Sequence, residues 1–288
     1  MKRAITLVLL AAILFLGGST WIALYPVVPV DLGGVANLDR VARRVRIPVA
    51  ERDHLDGWLL PGSRRVLLVI FHGYGRNHTR AWRYAQFLRR AGYSILTFDF
   101  RSSRAVGRKP TTLGGYEIPD AAAVMSWIHE QPDLSADTLA FFGESLGGSV
   151  ALVTAASRPE VRAVVVDGAF ATGRWAVEDA SWRWAHAPSW VAAPIARGLG
   201  WLLSGYDPFA LDAVAAARRL ADRPTLFIHG ENDDRLSTGE AEALWRAAGS
   251  DSGGLWILRG KVGHNEAWLK DRAEYERRVL GFYAEHLK

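Results

Sequence analysis

The chain has 288 residues, 49% of them hydrophobic, with twelve tryptophans and a formal net charge of +5. So apolar a composition excludes an intrinsically disordered chain, and the length allows one large core or two modest ones. The absence of cysteine excludes disulfides, thiol nucleophiles and thiolate metal sites; no basic block exceeds an arginine pair, and no nucleic-acid-binding motif occurs.

Met1-Lys2-Arg3 is basic, and no charge follows from Ala4 to Val30. Ile5 to Tyr25 would span about 31 Å as a helix, enough for a hydrocarbon core of about 30 Å. Trp21 and Tyr25 fall where an interfacial aromatic belt belongs, and Pro26 ends the helix. Residues 1–26 are therefore expected to form a signal anchor, a single-pass transmembrane helix. Its basic end stays in the cytoplasm and the rest of the chain lies on the other side. Gly17-Gly18-Ser19-Thr20 leaves a cleaved signal peptide and secretion as the alternative, although no clear A-x-A site follows.

Residues 27–40 read as a linker with Pro and Gly, and residues 41–288 as the folded domain. Val41–Ala50 and His54–Leu60 suggest two early strands, and Val66–Phe71 is a continuous apolar run suited to a strand buried on both faces. The pattern then alternates. A helix is expected over Thr79–Ala91, a strand over Tyr93–Phe100, a helix over Ile118–Glu130, a strand from Thr138 and another over Val161–Val166. The segment from about 171 to 221 breaks this rhythm. Pro224–His229, Thr238–Ala248, Gly254–Leu258 and Arg272–His286 then restore it. Such alternation predicts an α/β architecture, a mostly parallel sheet with helices on both faces, with functional groups on loops at the carboxyl ends of the strands.

The strand from Thr138 runs into Gly143-Glu144-Ser145-Leu146-Gly147, which is G-x-S-x-G between a strand and a small-residue helix. In that setting a tight turn lifts a serine hydroxyl above the sheet. Serine needs a base, and the base needs a partner to orient it. His264, in Gly263-His264-Asn265-Glu266 past the last strand, has the order and placement of the base. His229 and His72, each before a glycine, read as structural; His54, His78, His129, His186 and His286 read as solvated. The acid is expected after the Pro224–His229 strand, where Glu231, Asp233 and Asp234 are available, and spacing alone does not choose among them. An oxyanion site needs two aimed backbone N–H groups. Leu146, after the serine, and Tyr74, in His72-Gly73-Tyr74-Gly75, are the candidates.

Together, His72-Gly73-Tyr74-Gly75, Asp99-Phe100-Arg101-Ser102, Gly143-Glu144-Ser145-Leu146-Gly147-Gly148, His229-Gly230-Glu231-Asn232-Asp233 and Gly263-His264-Asn265-Glu266 resemble the α/β-hydrolase superfamily over about Arg44 to the carboxyl terminus. With the amino-terminal anchor, the chain is similar to small single-pass hydrolases of the serine aminopeptidase-like and depalmitoylase-like groups. The resemblance implies the α/β-hydrolase fold, Ser145 as nucleophile, His264 as base and, from the pattern H-G-x-x-D, Asp233 as orienter with Asp234 second. It implies that no cofactor or metal is needed. Asp99-Phe100-Arg101-Ser102-Ser103-Arg104 departs from the usual D-x-R-G-x-G, which bears on loop shape.

The 171–221 insert falls where this superfamily often carries a helical cap. Trp175, Trp182, Trp184 and Trp190 are candidates to line an acyl pocket; they would equally serve at a lipid interface or as core residues of two short helices. The expected activity is hydrolysis of a carboxylic ester or thioester, on a small-molecule or lipid-like acyl substrate, through an acyl-enzyme. The alternatives are peptidase or amidase activity, acyl transfer, and a non-catalytic binding protein on the same fold.

Overall fold

A computed structural model describes residues 15–30, 38–50, 53–104, 107–131, 134, 138–185, 188–220, 223–249 and 253–287, with the side chains of Asp39, Trp184 and Ala185 outside that set. Residues 15–24 are helical. The first fourteen residues of the expected anchor lie outside the described set, and no helix among the described residues is long and apolar enough to cross a membrane.

After a short helix, α1 (Leu38–Val41), come strands β1 (Arg43–Val49), β2 (Asp53–Leu60) and β3 (Val66–Phe71). Helix α2 (His78–Arg90), strand β4 (Ser94–Phe98), a 3-10 turn at Arg101–Ser103 and helix α3 (Glu117–His129) follow. The central unit is β5 (Thr138–Glu144), α4 (Leu146–Ala156) and β6 (Val161–Asp167). Helices α5 (Gly173–Ala185), α6 (Ser189–Ser204) and α7 (Ala213–Arg219) precede β7 (Thr225–Gly230), α8 (Thr238–Ala248), β8 (Leu255–Leu258), α9 (Ala267–Lys270) and α10 (Arg272–His286).

The eight strands form one sheet in the order β1-β2-β4-β3-β5-β6-β7-β8. β2 is antiparallel to both β1 and β4, and the other neighbours are parallel. The alternation of side chains along a strand divides the core in two. Leu67, Val69 and Phe71 of β3 face α3, α4, α7 and α8. Val66, Leu68 and Ile70 face α2 and α10. This explains why β3 reads as a continuous apolar run: both of its faces are covered. Deep in the second layer the Tyr283 hydroxyl donates to the Phe141 carbonyl at 2.7 Å, which satisfies that buried hydroxyl.

Side chains fix several helix starts. Asn77 accepts from the Thr79 N–H, Asp212 from Ala215 and Asp271 from Glu274. The parallel strands β3, β5, β7 and β8 place residues 72–75, Ser145, Asp233 and His264 beyond one edge of the sheet. Within the insert, α5 and α6 form a helical pair. An isolated antiparallel bridge between Thr172 and Asp212 brings the two ends of this helical pair together.

Candidate active site

Ser145 sits at φ 53°, ψ −122°, a conformation that L side chains rarely adopt. Its flanking glycines explain how the turn closes. A Cβ on Gly143 would lie 2.5 Å from Gly148 Cα, and one on Gly147 would lie 2.3 Å from the Phe71 carbonyl oxygen. In both cases backbone blocks backbone, so neither contact relaxes by a rotamer change. The Ser145 N–H is held by the Asp167 carbonyl at 2.8 Å. Gly147→Ala should accordingly lower unfolding free energy by roughly 3 kcal/mol, the upper part of the usual overpacking range. Urea unfolding of the purified chain measures it.

Leu146 opens α4, so its N–H belongs to the helix end that has no intrahelical partner. Across from it, the 72–75 loop passes close to the serine: a Cβ on Gly73 would be 3.2 Å from Ser145 Cβ. The two sequence-selected donors, Leu146 and Tyr74, thus belong to segments that border the same hydroxyl. His72 fixes the shape of that loop. Its Nε2 accepts from the Phe100 N–H at 3.1 Å, which requires the proton on Nδ1, and Nδ1 donates to the Gly73 carbonyl at 2.9 Å. Burial holds the His72 pKa below the usual histidine value, which keeps this neutral tautomer.

His264 Nε2 stands 3.0 Å from Ser145 Oγ, and its Nδ1 is 2.6 Å from Asp233 Oδ2. The geometry separates the three carboxylates that spacing left open. The Asp233 side chain is 1% exposed, and its Oδ1 accepts from the N–H groups of Arg235 at 2.7 Å and Leu236 at 2.9 Å. Asp234 is exposed, and Glu231 bonds Gly260 and Arg259 instead. Burial pushes the Asp233 carboxyl up. The hydrogen bonds from His264, Leu236 and Arg235 outweigh it, and the group ionises below the ordinary carboxylate value. His229 is buried beside it, with Nε2 3.2 Å from the Leu236 carbonyl, and burial lowers its pKa. It supports the acid loop.

A buried layer beneath these groups escaped sequence reasoning. Arg80 of α2 pairs with Glu144 at 2.9 Å and also donates to the Asn265 carbonyl at 3.3 Å. It therefore ties the serine turn to the histidine loop. Asn265, at φ 54°, donates from Nδ2 to the Asp167 carbonyl at 2.8 Å. Burial pushes the Asp167 carboxyl up to about 7, with neighbouring Glu144 adding to the shift, and the Tyr275 hydroxyl donates to it at 2.9 Å. These partners lie far apart in the chain, and only the asparagine directly after His264 offered a local signal. His78, read as solvated, is instead inside the fold. It stacks on Trp58 at 3.4 Å between ring centroids and bonds Asp99, because α2 begins against the ends of β2 and β4.

The start of the insert is tied to α8 through Glu240, which accepts from the Ala171 N–H at 2.9 Å. Burial pushes this carboxyl up to about 8. The folded chain keeps a proton that the unfolded chain releases near 4.5. This contribution to stability is complete below about pH 4.5 and is lost as pH rises through about 8. Glu240→Gln retains an acceptor and never ionises. It should match the wild type near pH 5 and be more stable at pH 9 by roughly 2–5 kcal/mol, read from thermal melts at the two pH values.

Of the four candidate pocket tryptophans, Trp175 and Trp182 line a groove of about 270 Å³ with Glu178, Asp179 and Ser189. Ser145 and His264 do not line it. Trp175 also packs on the core. Trp190 is 79% exposed and does not line that groove, and the Trp184 side chain lies outside the described residues. Arg183 of α5 donates to the Asp234 carbonyl, which ties the insert to the acid loop.

The model of the prolyl oligopeptidase family matches residues 78–288. Among its sequence relatives, the chain is 30% identical over 233 residues to the uncharacterized protein Rv2307c of Mycobacterium tuberculosis, covering 80% of this chain and 74% of that one. It is 26% identical over 242 residues to the uncharacterized protein YqkD of Bacillus subtilis, covering 82% and 77%. Among solved structures, the Pyrococcus furiosus esterase Pf2001 superposes with a TM-score of 0.73 at 21% identity, over 91% of this chain and 98% of that one. A Pyrococcus horikoshii acylaminoacyl peptidase superposes with a TM-score of 0.64 at 16% identity, over 86% of this chain and 42% of that one. At such identities the two structures establish a common fold.

Proposed function

The chain belongs to the prolyl oligopeptidase family and is a hydrolase of α/β fold, and from that premise we propose that it cleaves carboxylic esters or thioesters through Ser145, His264 and Asp233. The observation that carries this reading is the unbroken relay from Asp233 to His264 at 2.6 Å and from His264 to Ser145 at 3.0 Å.

The ionised Asp233 accepts from Nδ1–H, which leaves the Nε2 lone pair facing the serine hydroxyl. Ser145 Oγ attacks the acyl carbon as its proton passes to Nε2. The carbonyl oxygen takes the negative charge between the N–H groups of Leu146 and Tyr74, and the α4 amino terminus adds a favourable field. His264 then gives its proton to the leaving oxygen or sulfur. Water, deprotonated by the same nitrogen, releases the acid and restores Ser145.

The family includes peptidases, so amide cleavage is the second reading. The near-complete overlap with an esterase chain, against 42% of the peptidase chain, favours the ester. A panel of acyl p-nitrophenyl esters, acyl thioesters and aminoacyl anilides separates the two. The detergent-extracted enzyme should turn over esters or thioesters faster, and faster cleavage of the anilides would replace this assignment with a peptidase.

The uncharged run from Ala4 to Val30 behind Met1-Lys2-Arg3 supports a single-pass anchor with the catalytic domain outside the cytoplasm. Carbonate at high pH should leave the protein in the membrane pellet, whereas release of intact chain would remove the anchor from the scheme.

A further inference from the structure

Helix α6 is built inside out. Its buried residues are small: Ala192, Ala193 and Gly200, the last of which packs on the Pro208 ring. Its large apolar side chains face outward. Trp190 is 79% exposed, Leu202 71% and Trp201 60%, and Val191, Ile195 and Leu203 are also exposed. A helix that served only as a lid in water would do the reverse, since apolar area hidden from water is what stabilises it. The single charge on α6, Arg197, is bound to Asp207.

The amino-terminal helix repeats the pattern, with Phe15, Trp21 and Ile22 exposed. One loop connects the two surfaces. Its Thr111 N–H donates to the Leu24 carbonyl at 2.8 Å, and Arg108 donates to the Pro26 carbonyl. At its other end, Tyr116 packs on Tyr206, just beyond α6, with ring centroids 4.7 Å apart. The Tyr74 hydroxyl donates to the Ala23 carbonyl at 2.6 Å, which brings the same helix against the oxyanion loop.

We propose that the outer face of α6 docks into the surface of the lipid bilayer, beside the amino-terminal helix, so that the active site faces the membrane and takes acyl chains from it. The docking rests on the single-pass placement proposed above, and the uptake of acyl chains rests on the catalytic assignment. The occupant is lipid because the face combines tryptophan with branched aliphatics, carries no acidic group and is linked through the 108–116 loop to a helix whose preceding sequence, Ala4 to Leu14, is uncharged. A single interfacial helix with tryptophans at its ends fits a bilayer boundary, where one side of the helix meets protein and the other acyl chains.

The chain contains no cysteine, so single-cysteine labelling is unambiguous. Leu202→Cys and Trp190→Cys, each carrying an environment-sensitive fluorophore, are reconstituted as full-length protein in phosphatidylcholine–phosphatidylglycerol vesicles. Glu130→Cys is the aqueous reference, because α3 runs back to the opposite edge of the sheet. Ala11→Cys reports the anchor. Labels at 202 and 190 should lose fluorescence to nitroxide-bearing lipid and be protected from iodide, and the label at 130 should do the opposite. Iodide-accessible labels at 202 and 190, with lipid contact at 11, would overturn the docking while leaving the anchor intact. Aqueous exposure at 11 as well would remove the anchor, and the docking with it. Protection of 202 and 190 from both quenchers would assign the face to a protein contact and refute lipid as its occupant.

Discussion

Ser145→Ala should lower kcat/KM for ester substrates by roughly 10⁴- to 10⁶-fold, the cost of removing the nucleophile from a triad. The same variant should lose all labelling by a fluorophosphonate probe. The loss is expected in chemistry and not in folding. Ser145 Oγ contacts His264, while its backbone bonds to Asp167 and to the first turn of α4 use atoms that alanine keeps. Alanine must adopt the same positive φ, and a Cβ is already accommodated there. Thermal unfolding should therefore move little. Equal labelling of Ser145→Ala and wild type, or an unlabelled wild type, would remove the hydrolase mechanism and leave a binding protein on this fold.

The sheet was legible because its strands are short apolar runs bounded by glycine, proline or charge. β3, α8 and α10 match the expected residues, and most other elements differ by one or two. The early strand expected from Val41 starts at Arg43, because Leu38–Val41 is a helical turn. Short helices such as α1, α7 and α9 escape periodicity because they hold too few turns to display a stripe. Helix α6 was obscured for another reason: its apolar residues run nearly all round, so no face stands out in the sequence. Ser145 and His264 were recognisable from local motifs and chain order. Arg80 was not, because its role depends on Glu144 and on the Asn265 carbonyl, which only the packing of α2 against β5 and the histidine loop brings within reach.

The acid illustrates what geometry adds, and Asp233→Asn should be the second most damaging change. Oδ1 of Asp233 accepts two backbone N–H groups, from Arg235 and Leu236, while Oδ2 faces His264 Nδ1. An asparagine here has one oxygen, and the two backbone donors claim it. Its NH₂ then points at Nδ1 and must donate. Nδ1 has to accept, so the imidazole proton moves to Nε2, where it faces Ser145 and blocks removal of the serine proton. Turning the amide over would set its NH₂ against both N–H groups, leaving buried donors unsatisfied at about 1–3 kcal/mol each. The trapped tautomer should reduce kcat by roughly 10³- to 10⁴-fold with little change in KM. Asp234→Asn should stay near wild type, because that side chain is exposed and its backbone carbonyl, which Arg183 uses, is retained. Steady-state kinetics of the two variants on one ester decide the matter: a large loss in Asp234→Asn with an active Asp233→Asn would transfer the orienting role to the neighbouring carboxylate.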